Sequence, residues 1–154
     1  MMLLLLALQA AAPAMTPPAT GGIDGSPLSA IPRQQLPATG CAAFLWSVGT
    51  RHDLVAMASA EPARLRLSID GKIVDLARAD QAGAATFGFA GTSRYQATGV
   101  DVTLAMTVAA DPNLTQGGTV PSATLTLVRP GQDSVVLPVA GLIGCAPAAP
   151  AAGQ

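Results

Sequence analysis

The stretch 63-ARLRLSIDGKIVDLA-77 decides the fold class of this chain. Leu65, Leu67 and Ile69 alternate with Arg64, Arg66 and Ser68, the period of two that sends successive side chains to opposite faces of a strand. Asp70-Gly71 follows, a dipeptide suited to the two positive-φ positions of a type I′ hairpin turn. Folding the chain at that turn sets Leu67 opposite Val74, Leu65 opposite Leu76 and Arg66 opposite Asp75. Apolar meets apolar and a cation meets an anion, although neither match enters the choice of turn. The stretch therefore reads as an antiparallel hairpin.

The same alternation extends outward in both directions. Residues 42–48 (AAFLWSV) place Phe44, Trp46 and Val48 on one face. Residues 84–90 (AATFGFA) read as a strand that brings Phe87 and Phe89 together. Over 100–108, Val100, Val102, Leu104, Met106 and Val108 alternate with Asp101, Thr103, Ala105 and Thr107. Residues 122–128 and 134–140 repeat the pattern on either side of the turn Arg129-Pro130-Gly131-Gln132. Pro138 has no N–H to give a ladder, so it marks an edge or a bulge. No amphipathic helix emerges; the best candidate, 75–84, is short and alanine-rich. The expectation is an all-β chain, an antiparallel β-sandwich or small β-barrel of about seven or eight short strands.

Charged residues make up 11% of the 154, against about 25% in an ordinary soluble domain. The mean hydropathy of +0.45 comes largely from the leucine run at the start and from scattered alanines. No stretch after residue 15 reaches the roughly 18–20 apolar residues of a spanning helix. With a net charge of −1 and eight Lys and Arg dispersed singly, the chain lacks the basic face of a nucleic-acid binder. It equally lacks the polybasic cluster of an electrostatic membrane anchor.

Residues 1–14 read as a signal peptide: Leu3 to Leu8 form a short apolar core and Ala12-Pro13-Ala14 a small-x-small cleavage pattern, without a basic n-region. Residues 15–40 form a Pro/Gly-rich lead with no apolar period, expected to be flexible. The folded unit is expected over 41–145, and 146–154 as a disordered tail. Residues 36–41, LPATGC, combine three known signals. A sortase-type motif belongs near a C-terminus, and a lipobox directly behind the leader core, so neither fits this position. The remaining reading of Cys41 is a disulfide with Cys145. Two cysteines in the matching contexts TGCA and IGCA flank the folded unit of an exported chain. Closing a loop of about a hundred residues is worth about 4.7 kcal/mol in the chain-entropy model. The competing reading is two buried thiols. Export places the protein in the periplasm or outside the cell.

Material for chemistry is sparse. The single histidine, His52, is followed by Asp53, but neighbouring strand residues point to opposite faces and do not make a dyad. One histidine and two paired cysteines leave no zinc set, and Asp75 and Asp80 do not make a calcium loop. No G-x-S-x-G and no phosphate-binding glycine loop before a helix is present. The sequence thus offers no catalytic, cofactor-binding or metal-binding residues and implies no cofactor. The site-like features are the long loop 111-DPNLTQGGTVP-121, with Asn113 and Gln116, and the pair Arg94 and Tyr95 in 91-GTSRYQATG-99. Long loops on rigid β scaffolds carry binding residues, and Arg and Tyr are enriched at hot spots.

The opening cysteine, the hairpin ARLRLSIDGKIVDL, the G-x-S-x-Y at 91–95 and the closing cysteine together resemble the periplasmic c-type lysozyme inhibitors, small β-barrels that insert polar loops into the lysozyme cleft. The resemblance covers about half of the folded unit. It departs at the inhibitory motif, since Gly91-Thr92-Ser93-Arg94-Tyr95 does not follow the order S-G-x-x-Y. The functional expectation is an exported, non-catalytic binding or structural module whose partner is an envelope protein or a polysaccharide. The alternatives are a lysozyme-inhibitor-like protein and, third, a small secreted hydrolase.

Overall fold

The computed structural model describes residues 22–147. Residues 1–21, where the signal peptide and the first part of the lead are expected, and residues 148–154 of the expected tail lie outside the described residues. Nine strands follow in chain order: β1 (Leu28–Ser29), β2 (Cys41–Ser47), β3 (Leu54–Ser59), β4 (Arg64–Ile69), β5 (Lys72–Thr86), β6 (Phe89–Ala97), β7 (Val100–Ala110), β8 (Gly117–Val128) and β9 (Val135–Cys145). From β2 to β9 each strand pairs antiparallel with the next, and β9 returns to pair with β2. The architecture is a closed eight-stranded up-and-down barrel with β1 added beside β4. Of the two architectures open to the sequence, the barrel is the one formed.

The β4–β5 hairpin has the expected register, with Leu67 opposite Val74, Arg66 opposite Asp75 and Leu65 opposite Leu76. Asp70 and Gly71 both take positive φ, 51° and 78°. Asp accepts such a conformation tolerably and a β-branched residue does not. Gly71→Val should therefore cost about 1–2 kcal/mol, while Gln132→Ala, at an exposed turn, should stay within about 0.5 kcal/mol. Coincident urea-unfolding midpoints for the two variants would refute this account of the turn. Arg66 donates two hydrogen bonds to the Asp75 carboxylate, at 2.8 and 2.9 Å. That pairing, with the Arg66 charge, holds the Asp75 carboxyl below its usual range. Both side chains are more than a third exposed, so the pair contributes less than about 1 kcal/mol.

Leu45, Leu65, Leu67, Leu76 and Leu104 point into the barrel with no exposed surface. Small residues face large ones across strand pairs, Ala56 beside Leu67 and Ala58 beside Leu65, which is how an eight-stranded barrel fills its narrow interior. Cys41 and Cys145 stand opposite each other at the end of the β2–β9 seam and form the disulfide. Such a bond is the mark of an oxidising, non-cytoplasmic compartment.

The structure departs from the sequence reading in several places. Residues 84–90 are not one strand: Phe87 and Gly88, both at positive φ, form the turn between β5 and β6. The alanine-rich 75–84 is strand, because it pairs with β4 and then with β6. The loop 111–121 is shorter than read, since Gly117 and Gly118 are buried at the start of β8. Pro138 lies on no sheet edge; its carbonyl accepts from Val48 N, just past the point where the β2–β9 pairing ends at Ser47 and Val139. Its missing N–H thus falls at a ladder terminus. The lead, expected to be flexible over 15–40, is docked at several points among its described residues. Leu28 and Ile31 are buried, Gln34 accepts a hydrogen bond from Arg66 at 3.1 Å, and the Leu36 side chain lies against Gly144.

Candidate contact surface

The residues singled out from sequence do not assemble into one site. Arg94 is exposed on the outside of β6, 3.3 Å from Asp80 and 3.9 Å from Asp101. Asn113 is exposed in the β7–β8 turn, where its backbone N–H and side-chain amide both donate to Asp111 Oδ1. Gln116 is exposed there too, and its carbonyl accepts from Cys145 N at 3.1 Å. Among the described residues no hydrogen bond or ion pair joins Arg94 to this turn.

Tyr95 is not a contact residue: its side chain points into the barrel and has no exposed surface. Even spacing from Ser93 along β6 puts both residues on the interior face, so the property that suggested a hot spot serves the core instead. Among the described residues, neither the Ser93 nor the Tyr95 hydroxyl has a hydrogen-bond partner. Burial pushes the Tyr95 phenol above its ordinary value near 10, opposed by the nearby Ser93 hydroxyl and the Arg78 charge. The sign follows directly. The folded chain keeps its proton where the unfolded chain has lost it, so this contribution to stability is complete below about pH 10 and falls as pH rises beyond it. Tyr95 is the single tyrosine, so tyrosinate absorbance titrates it alone. The expected midpoint lies above 10, and Tyr95→Phe should flatten the alkaline loss of stability. A midpoint at the ordinary value in the folded protein would show that the ring is solvated.

His52 is exposed in the β2–β3 loop and lines a groove with Ser47 and Trp46. The Ser47 hydroxyl donates to Arg51 O at 2.6 Å and accepts from Asp53 N at 3.2 Å, so it is engaged in shaping that loop. Among the described residues, no three His, Cys, Asp or Glu side chains are placed to share a metal ion, and no helix is long and apolar enough to cross a membrane.

The feature that sequence reasoning passed over is the outer face of β2 and β9. Phe44, Trp46 and Val48 do share a face, and it is the outward one, because Ala43 and Leu45 take the interior. On β9 the outward residues are Val136, Pro138, Ala140 and Leu142. The register sets Phe44 opposite Leu142 and Trp46 opposite Ala140, so the two strands present one uncharged apolar surface. Val48 is 53%, Leu142 48% and Val136 61% exposed. Part of the surface dips into an open groove of about 570 Å³ lined by Trp46, Val48, His52, Ala140 and Leu142. Gly141 keeps the two strands close: a Cβ there would collide with the carbonyl oxygen of Phe44. The outward residues of β4 to β7 differ, carrying Arg64, Arg66, Asp75, Arg94 and Asp101. The signal available beforehand was the run of apolar residues at every outward position of both strands. No family model matches this chain, and neither a curated protein nor a solved structure does.

Proposed function

We propose that this protein is an exported, non-catalytic contact module of the periplasm or the extracellular space, engaging an envelope protein through the apolar outer face of β2 and β9. The observation that carries the reading is that face itself: half-buried Trp46 and exposed Val48 and Leu142 line one groove, and β2 and β9 bear no charged side chain while β4 to β7 all do. Contiguous exposed apolar surface on a small domain is the usual signature of a docking site, and Trp is the residue type most favoured at its centre. A protein partner suits this face better than a polysaccharide, because its outward side chains on β2 and β9 bear no hydrogen-bonding group other than the Trp46 indole N–H. The interior is filled by leucines with no exposed surface, which moves binding to the outside of the barrel. The engagement of Ser47 with backbone groups speaks against Ser47 and His52 as a hydrolytic pair.

The test is capture from envelope extract by the native protein and by a Val48→Ser, Leu142→Ser double variant, at positions whose side chains are half exposed. One partner retained by the native chain and lost by a variant of unchanged melting temperature supports the module. Equal capture by both removes this face from the function. The disulfide-closed barrel keeps the lysozyme-inhibitor-like reading as the second one. Capture of lysozyme, with inhibition of its activity, would favour it. Turnover of a substrate that His52→Ala abolishes would favour the hydrolase.

A further inference from the structure

A second surface lies where β3 and β4 part. The β3–β4 pairing runs from Ser59 opposite Arg64 to Ala56 opposite Leu67. Two more steps of that register would set Leu54 opposite Ile69; Leu28 stands there instead, with Ser29 opposite Ser68. β3 turns away at its first residues, where the β2–β3 register also shifts, and leaves a notch beside the end of β4. The strap Pro27–Ile31 occupies it. Asp70 N donates to Pro27 O and Ile31 N donates to Leu54 O, both at 2.8 Å, so the strap bridges β4 and β3. The Ser29 hydroxyl donates to Ser68 Oγ at 2.8 Å. Leu28 packs into the barrel core at 2% exposure, and Ile31 is buried at 5%.

We infer that this notch is a strand-docking groove for an extended polypeptide segment of a partner, with aliphatic anchors at i and i+3 and small residues between them, and that the strap holds the groove in cis. The seated strap defines the chemistry of the site: an open strand edge offers main-chain hydrogen bonds, and two sockets select the side chains, as in β-augmentation. Its hold on the groove is slender. Only two residues pair with β4, and Pro27 and Pro32 have no N–H to add. Ordering about five residues costs an amount comparable to what burying two aliphatic side chains returns. An open cavity of about 460 Å³ borders the strap, walled by Ser29, Ala30, Gly49, Arg51 and Ile73 among others, and gives an incoming segment room to enter.

The probe is a labelled peptide of residues 26–33, SPLSAIPR, and the readout is fluorescence anisotropy. In the full chain carrying Leu28→Ser and Ile31→Ser the strap loses both anchors while the groove is intact. This variant should bind the peptide saturably, and a peptide with serine at both anchor positions should not bind. The native chain should bind the probe roughly tenfold more weakly or worse, since a tethered strap competes at an effective concentration in the millimolar range. A second form covers the case in which the variant does not fold. A specific protease site inserted after Ala38 and cut in the folded protein leaves the native strap held without a covalent link, and that protein should exchange it for the labelled peptide. Absence of uptake by both forms overturns the inference, as does equal uptake by the variant and the native chain. A strap-exchanged dimer of the native chain, together with no peptide uptake, would make a second copy the occupant and also overturn it.

Discussion

Replacing both cysteines with alanine is expected to lower the unfolding free energy by about 4 kcal/mol, within the 2–5 kcal/mol range for loss of a native disulfide from a small domain. The bond closes a loop of 104 residues, and cutting it restores to the unfolded chain the freedom that the cross-link removes. Its position raises the stake further. β2 and β9 close the barrel by pairing from Cys41 opposite Cys145 to Ser47 opposite Val139, a contact between segments about a hundred residues apart. Without the covalent link that pairing must be won against the full loop-closure entropy. At a urea slope of about 1–3 kcal/mol/M, the midpoint should fall by more than about 1 M. Either single cysteine variant and the reduced native protein should show the same loss. Superimposable unfolding curves for native and double-alanine protein would show that the seam holds without its staple.

The second large effect is expected in the barrel interior. Leu67→Ala should cost about 3 kcal/mol, within the 2–5 kcal/mol of buried leucine truncations. Leu67 has no exposed surface and lies between Ala56 on β3 and Val74 on β5. The alanine cannot extend into the vacated space, and a closed ring of strands has no edge along which to collapse, so most of the cavity should persist. Val136→Ala provides the contrast, because Val136 is 61% exposed on the outer face and its truncation should stay within about 0.5 kcal/mol. Equal losses at the two sites would mean that inside and outside are wrongly assigned.

The candidate surface was only partly legible in the sequence. Alternation determines which residues share a face, and Phe44, Trp46 and Val48 do share one. Alternation says nothing about which face is buried when both are apolar, as in AAFLWSV. Tyr95 failed for the complementary reason: its residue type suits a hot spot and a core equally, and only the inward turn of β6 decides between them. Strand β3 and the full length of β6 were not recognised. In LVAMAS the interior Ala56 and Ala58 are too small to stand out from their neighbours, and in FAGTSRYQA the stretch Gly91 to Ser93 separates the inward Phe89 and Tyr95 and hides the alternation. The docking of Leu28 and Ile31 could not be read from a Pro-rich lead, because the notch that receives them is made by residues 54–57 and 67–70.

By itself, then, the sequence determined what lies within the reach of a turn: the positive-φ step at Asp70-Gly71, the register of the hairpin around it, the all-β class and the pairing of its two cysteines. Each rests on steric limits or periodicity within a few residues, or on there being only one partner to choose. The tertiary structure alone decided that the sheet closes as a barrel rather than splitting into a sandwich. It also decided that the β2–β9 face looks outward and that the strap completes β4 where β3 departs. Those outcomes depend on pairings between segments separated by about 40 to 100 residues. Their free energy comes from burying small and large side chains against one another around a closed ring, a collective quantity that no local stretch of residues contains.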